Sequence, residues 1–257
     1  MGTLKVAVHQ PNYLPWLGFF HKIQGVDIFV LLDTVQFERR GYTHRVRIAD
    51  QDGHLLWLTQ HICKRPMEEY WIKDVKFSDA YWIEKHLKTF NAVYRRAPYF
   101  EETFDLIDSA FRSDISRLSV FNGGLIRILC TALKIPTEII YASEIDMPPV
   151  LSPSERIARI TERLGGTHYV SGAGAKAYND QAVFEKYGVE LTYNRFVAST
   201  YPQRHSEFCG GLSIVDACFN LGFNGVASLL RTSDKGAVHI GGCHADSLVP
   251  HVNAIAP

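Results

Sequence analysis

LKVAVHQPNYLPWLGFFHKIQGVDIFVLLD, residues 4–33, is the stretch whose reading decides the fold. Residues 4–8 are an apolar run of strand length. Residues 14–24 keep helical spacing, with Pro15 suited to open a helix and Gly25 to stop it. Residues 27–33 are a second apolar run, closed by an aspartate at each end. Two apolar strands joined by a short helix predict a βαβ unit with a parallel pair. His9 and Gln10 then fall at the carboxyl edge of the first strand, where α/β proteins open their ligand crevices. Packing alone does not require a His-Gln pair there.

The pattern extends outward from this unit. Residues 42–48 alternate, and residues 54–62 follow Asp52-Gly53, which predicts a β-hairpin over 42–62. Residues 80–135 carry apolar positions at helical spacing, broken at Ala97-Pro98, weakened at Gly123-Gly124 and ended by Pro136. Further strands are expected at 137–145, 167–172 and 189–196. They alternate with helices at 152–166, 178–188 and 212–222. The first of these helices has Ser152 as cap, Pro153 behind it and Glu155 three residues on. The expectation is a Rossmann-like α/β fold with a mainly parallel sheet, an inserted hairpin and a helical subregion. It is read as one domain over 1–257, with an irregular tail at 237–257 and residues 146–149 as the only hinge-like stretch.

Composition narrows the function class. Of 257 residues, 46% are hydrophobic and 21% charged, and Lys+Arg and Asp+Glu are both 27. A net charge of zero argues against nucleic acid as the main partner, since phosphate binding draws on a basic field. No apolar run approaches the ~18 residues of a spanning helix. His9, Pro11 and Asn12 interrupt the N-terminus too early for a signal-peptide core. Val6 stands where myristoylation expects Ser or Thr. The five cysteines are scattered, without a CxxC pair, and read as free thiols of a reducing compartment. The expectation is a cytoplasmic protein that engages neither membrane nor nucleic acid.

The candidate site starts at His9, which exchanges protons near neutral pH, and Gln10, which both donates and accepts. Pro11 and Pro15 stiffen the loop, and Gly18 allows close approach. Asp33 ends the neighbouring strand, so His9, Gln10 and Asp33 are expected to share one hollow. Gln36, Glu38, Arg39, Arg40, His44, Arg45 and Arg47 follow. Tyr42, His44, Val46 and Ile48 share one face of the alternating stretch, opposite Thr43, Arg45 and Arg47. Arg45 is the favoured anion ligand, through paired hydrogen bonds. Arg39, Arg40 and Arg47 read as surface.

The run KVAVHQPNYLPWLGFFHKI, then DIFVLLDTVQF, GYTHRVRI, RRAPYF, SGAGAKAY, YPQRHSEF and LSIVDACFN, resembles the WbqC-like family of bacterial O-antigen and related biosynthesis, in order along most of the chain. Members often carry Trp-x-Asn-Arg-Asn where this chain has Tyr42-Thr43-His44-Arg45-Val46, retaining only the arginine. The resemblance implies a transferase that moves an aminoacyl group, such as glycyl, or a related acyl group onto an amine of an amino sugar or small metabolite. Such amide formation needs a base, oxyanion donors and a hold on the donor. His9 fits the base, and Asp33 orients it or holds the amine. Gln10, Gln36 and Gln203 serve as donors, and Asn12, His44, Arg45, Gly172 and Tyr178 bind substrate. No cofactor is expected. The donor is a carrier-protein phosphopantetheine thioester or another activated acyl group.

Other constellations compete. Cys209 lies ahead of a predicted helix with His205 four residues earlier, and is the candidate nucleophile for a covalent route. His239, Cys243, His244 and His251 have metal-binding types but no established spacing, so no metal is expected. Gly172 and Gly174 resemble half of a phosphate-binding loop. Two further function classes stay open. One is a nucleotidyltransferase, loosely echoed by the strand, His-containing Pro/Gly turn and helix, although His9 and His21 are too far apart to form the two-histidine motif. The other is a non-catalytic binding subunit of a biosynthetic complex.

Overall fold

The computed structural model describes residues 2–64, 70–113, 115–148, 151–197, 199–205 and 207–233. The expected tail at 237–257 and Pro149 of the hinge-like stretch lie outside them. Strand β1 (Lys5–His9), helix α1 (Leu17–Gln24) and strand β2 (Ile28–Leu31) form the opening unit, and the strands are parallel with Val8 opposite Val30. Val6, Val8 and Val30 pack on one face of the sheet, Ala7, Phe29 and Leu31 on the other. Both faces are covered, so these runs are continuously apolar.

Helix α1 starts later than Pro15 suggests. Leu14 takes a left-handed φ of 39°, and Trp16 is the extended N-cap. The Pro15 ring keeps the residue before it out of the right-handed helical region. The Pro15 carbonyl instead accepts from the Ile214 N–H at 2.8 Å, and the Leu14 carbonyl from Ser213 Oγ at 2.8 Å. Distant chain therefore pins this loop before the helix can begin.

Strands β3 (Arg45–Ala49) and β4 (Leu55–Thr59) make the separate antiparallel hairpin. Its turn is held by the Asp50 carboxylate, which accepts from the Asp52 and His54 N–H groups, and by Gly53 at φ 84°. Val46 and Ile48 enter the core, while Arg45 and Arg47 share the outer face. Helices α2 (Tyr81–Tyr94), α3 (Phe100–Phe111) and α4 (Leu118–Ala132) follow, with the first break at Ala97-Pro98. Gly123-Gly124 does not weaken α4. A Cβ on Gly123 would lie 2.1 Å from the Tyr141 hydroxyl, so this glycine admits a neighbour rather than ending a helix.

The remainder alternates as expected: β5 (Glu138–Tyr141), α5 (Pro153–Arg163), β6 (His168–Gly172), α6 (Gln181–Lys186), β7 (Glu190–Asn194) and α7 (Ile214–Thr232). Ser152 caps α5 by accepting from the Glu155 N–H at 3.2 Å. Helix α7 does not stop at Gly222. It kinks there at φ 66°, against Tyr99 and Glu102, and continues to Thr232. The parallel sheet has the order β5-β2-β1-β6-β7. Helices α5 and α6 cover one face, α1 and α7 the other. Among the described residues no helix is long and apolar enough to cross a membrane.

Candidate functional site

The strand order reverses beside β1. The chain leaves β1 for β2 and β5 on one side, then returns to β6 and β7 on the other. Pairing of β1 with β6 runs only through Lys5 and Val6, so the two strands part toward their carboxyl ends. Reversal points of this kind are where open α/β sheets hold ligands. A cavity of about 360 Å³ occupies this one. It is lined by side chains from both faces of β1, Val8 and His9, so it enters between the strands.

Each wall has a local cause. Gln10 and Asn12 come from the pinned loop, and Gly18, Phe19 and Lys22 from the first turns of α1. Gly18 matters because a Cβ there would lie 2.4 Å from the Trp16 ring, which folds over it at the rim. Gly172 ends β6, and Ala173, Gly174, Tyr178 and Asn179 follow it. Ser154 and Ile157 of α5, Asn194 of β7 and Tyr42 ahead of the hairpin complete the lining. Among the described residues the lining holds no carboxylate and one cationic side chain, Lys22.

Lys22 is 4% exposed. Its ammonium nitrogen donates to the Val8 carbonyl at 3.2 Å and sits 5.5 Å from the Phe29 ring centre. Burial, with no acidic partner among the described residues, brings its pKa down to about 7. His9 stands edge-on to Phe19 at 5.0 Å, and its Nδ1 is 3.1 Å from the Gln10 carbonyl. A carbonyl only accepts, so Nδ1 carries the hydrogen and Nε2 is left as an acceptor. Burial, then the nearby Lys22 charge, push the His9 pKa down to about 3. The ring is neutral at any working pH. Gln10 Oε1 accepts from Thr43 Oγ1 at 3.3 Å, which turns its amide N–H groups the other way.

The structure brings His9, Gln10, Asn12, Gly172 and Tyr178 together around the cavity. It does not bring Asp33 there. Leu32 reaches the cavity, but β2 has ended at Leu31 and the Asp33 N–H turns back onto the Leu31 carbonyl at 3.0 Å, and Asp33 does not line the cavity. Its carboxylate accepts from the Ser143 N–H at 2.9 Å and Oγ at 2.7 Å beyond β5, and burial raises its pKa. The expected hollow shared by His9 and Asp33 is thus two separate places, divided by β2. Gln36 pairs with Trp71. His44 is buried against Phe37 with its pKa lowered to about 4, chiefly by burial. Arg45 donates to the Gly41 and Arg40 carbonyls and lies 4.4 Å over the Trp57 ring. None of these three lines the cavity.

Gln203 serves a different network. It donates to Asp216 Oδ1 at 3.0 Å and to the Cys209 carbonyl at 2.9 Å, beside the Tyr94 and Tyr201 hydroxyls that also reach Asp216. Cys209 precedes the Ser213 cap of α7 by four residues and does not line the cavity. His205 Nδ1 meets the Glu207 carbonyl at 2.6 Å. His21 bonds Asn194 Oδ1 at 2.9 Å and does not share the cavity with His9. The His239, Cys243, His244 and His251 group lies outside the described residues.

Sequence reasoning missed Lys22, Ser154, Asn179 and Asn194. Asn194 was within reach, because the strand-end argument that selected Gly172 applies equally to β7. Lys22 carried no such signal: only the structure shows that Leu17 to Ile23 are all buried, leaving α1 no solvated face for a lysine to occupy.

Fold and site together define an α/β protein with a cavity at the sheet's reversal point. The model of the WbqC-like protein family matches residues 10–228, and the chain belongs to that family. It is also similar to an uncharacterised protein of Mycobacterium tuberculosis, 30% identical over 220 residues that cover 85% of this chain and 94% of the relative. No solved structure matches.

Proposed function

We propose that this chain is an amide-forming transferase, moving an aminoacyl group such as glycyl, or a related acyl group, onto an amine of an amino sugar or small metabolite. The observation that carries the reading is Lys22, buried beside His9, without an acidic partner among the described residues, in a cavity rimmed by side-chain amides. An attacking amine must lose a proton as the C–N bond forms. His9, the base the sequence suggests, is too weakly basic for this; its Nε2 instead accepts from the amine and aims it. Lys22, neutral in part near pH 7, takes the proton. Gln10 and Asn12 supply donors for the acyl oxygen as it gains charge. The donor, a carrier-protein phosphopantetheine thioester or another activated acyl group, enters past Tyr42. That ring packs on Trp57 at 5.8 Å, and the Arg45 and Arg47 guanidiniums lie over the Trp57 ring.

Mass spectrometry of amine acceptors incubated with a glycyl-loaded carrier protein tests this. An amide product is expected, reduced by roughly 10²-fold or more in His9→Ala and Lys22→Met. Pyrophosphate release from ATP with no acyl transfer would mark a nucleotidyltransferase. Tight amine binding without turnover across the panel would mark a binding subunit.

A further inference from the structure

We propose that Lys22 is an imine-forming lysine, and that the cavity between β1 and β6 takes aldehydes and ketones as ligands held covalently on its Nζ. This goes beyond amide formation: the amine that accepts a proton there acts here as the nucleophile.

The geometry supplies what the reaction needs. Along β1 the Lys5 and His9 carbonyls accept from the Asp27 and Leu32 N–H groups on the β2 side. The Val8 carbonyl therefore faces β6, in the part of the strand where pairing with β6 has already ended. Lys22 fills that gap with one N–H. The bond fixes the nitrogen at the cleft and leaves its lone pair uncommitted whenever the amine is neutral. No carboxylate lines the cavity among the described residues, so none there holds the group as an ammonium. The apolar surroundings of Phe19, Phe29 and Leu32 favour the uncharged amine. Near pH 7 about half of this lysine is neutral, given its pKa of about 7. For a solvated lysine the fraction is roughly one in a few thousand.

The step balances without a further reactant. The Nζ lone pair attacks the carbonyl carbon, a C–N bond forms, and the C=O π electrons move to oxygen. A proton passes from nitrogen to oxygen, giving a carbinolamine. The hydroxyl takes up the second N–H proton and leaves as water, and the nitrogen electron pair closes the C=N bond. Amine and carbonyl compound become imine and water, with no change of oxidation state.

Reductive trapping tests the proposal. The full chain is incubated at pH 7 with benzaldehyde, butanal or pyruvate and cyanoborohydride, and peptides are mapped by mass spectrometry. Lys22 is expected to carry at least tenfold more adduct than any other lysine with one or more of the probes, with half-maximal labelling near pH 7. Lys22→Met, checked for folding by circular dichroism, loses that adduct and keeps the background on surface lysines. Labelling confined to exposed lysines, or rising only above pH 9 at Lys22, overturns the proposal even in the wild-type chain. Retained amide synthesis alongside that result would leave the transferase reading standing.

Discussion

Lys22 and His9 govern each other because they share one desolvated space. Burial lowers the proton affinity of both, and each cation would raise the cost of the other. The same physics makes stability depend on pH. His9, His44 and His86 are held at about 3, about 4 and about 3, while an unfolded imidazole binds its proton near 6.5. Between these values the unfolded chain binds more protons than the folded one, so stability falls as pH drops from 6.5 toward 4. Thermal melts at pH 7.5 and pH 5 are expected to show that loss, on the order of 1–2 kcal/mol per ring by pH 5. Asp33 and Asp216, whose pKa values burial raises, offset part of it at the acid end. A melting temperature flat from pH 7.5 to 5 contradicts the assignment. Lys22 acts in the alkaline range: its unfolded form keeps a proton up to 10.5 and its folded form only to about 7, so its contribution to stability grows across that interval.

Between elements, the loop that carries Gln10 is held from α4 as well as from the start of α7. Asn122 of α4, fully buried, donates to the Pro11 carbonyl at 2.9 Å and to the Thr43 carbonyl at 2.6 Å, and accepts from Gln60 Nε2 at 3.2 Å. Asn122→Ala leaves buried carbonyls unpaired and is expected to cost about 2–3 kcal/mol in urea unfolding. Because Thr43 orients Gln10, affinity for a cavity ligand falls as well, whereas a purely local defect would leave it unchanged. One turn position away, Gly123→Ala drives a methyl into Tyr141 and Leu31. Overpacking there is expected to lower stability by roughly 1–3 kcal/mol by the same measurement, and an unchanged midpoint would show that the α4–β5 contact is loose.

At the scale of the whole molecule, the hairpin is a second small sheet set beside the cavity. Its outer face exposes Trp57 and Leu55 near Arg45 and Arg47, while the Arg47 Nε has no hydrogen-bond partner among the described residues. With a net charge of zero overall, the anionic donor proposed above would feel this local field. Arg47→Ala combined with Trp57→Ala is expected to raise the donor KM about tenfold, the effect of one lost charged or stacked contact, while kcat stays within twofold. Donor KM in the wild type should rise with salt; equal salt dependence in the double variant would sink the assignment. Local pattern by itself determined the strands, the hairpin faces, the Ser152 cap and the edge position of His9 and Gln10, because periodicity and capping act over a few residues. Only tertiary structure decided where α1 begins, that Gly222 kinks a helix instead of ending it, and that Gly123 is a contact. It also parted Asp33 from His9 and buried Lys22. Those outcomes depend on which strands become neighbours: the β6 return beside β1 opens a cleft on one side, while β5 beside β2 gives the aspartate its partner on the other, and no window of the sequence contains both.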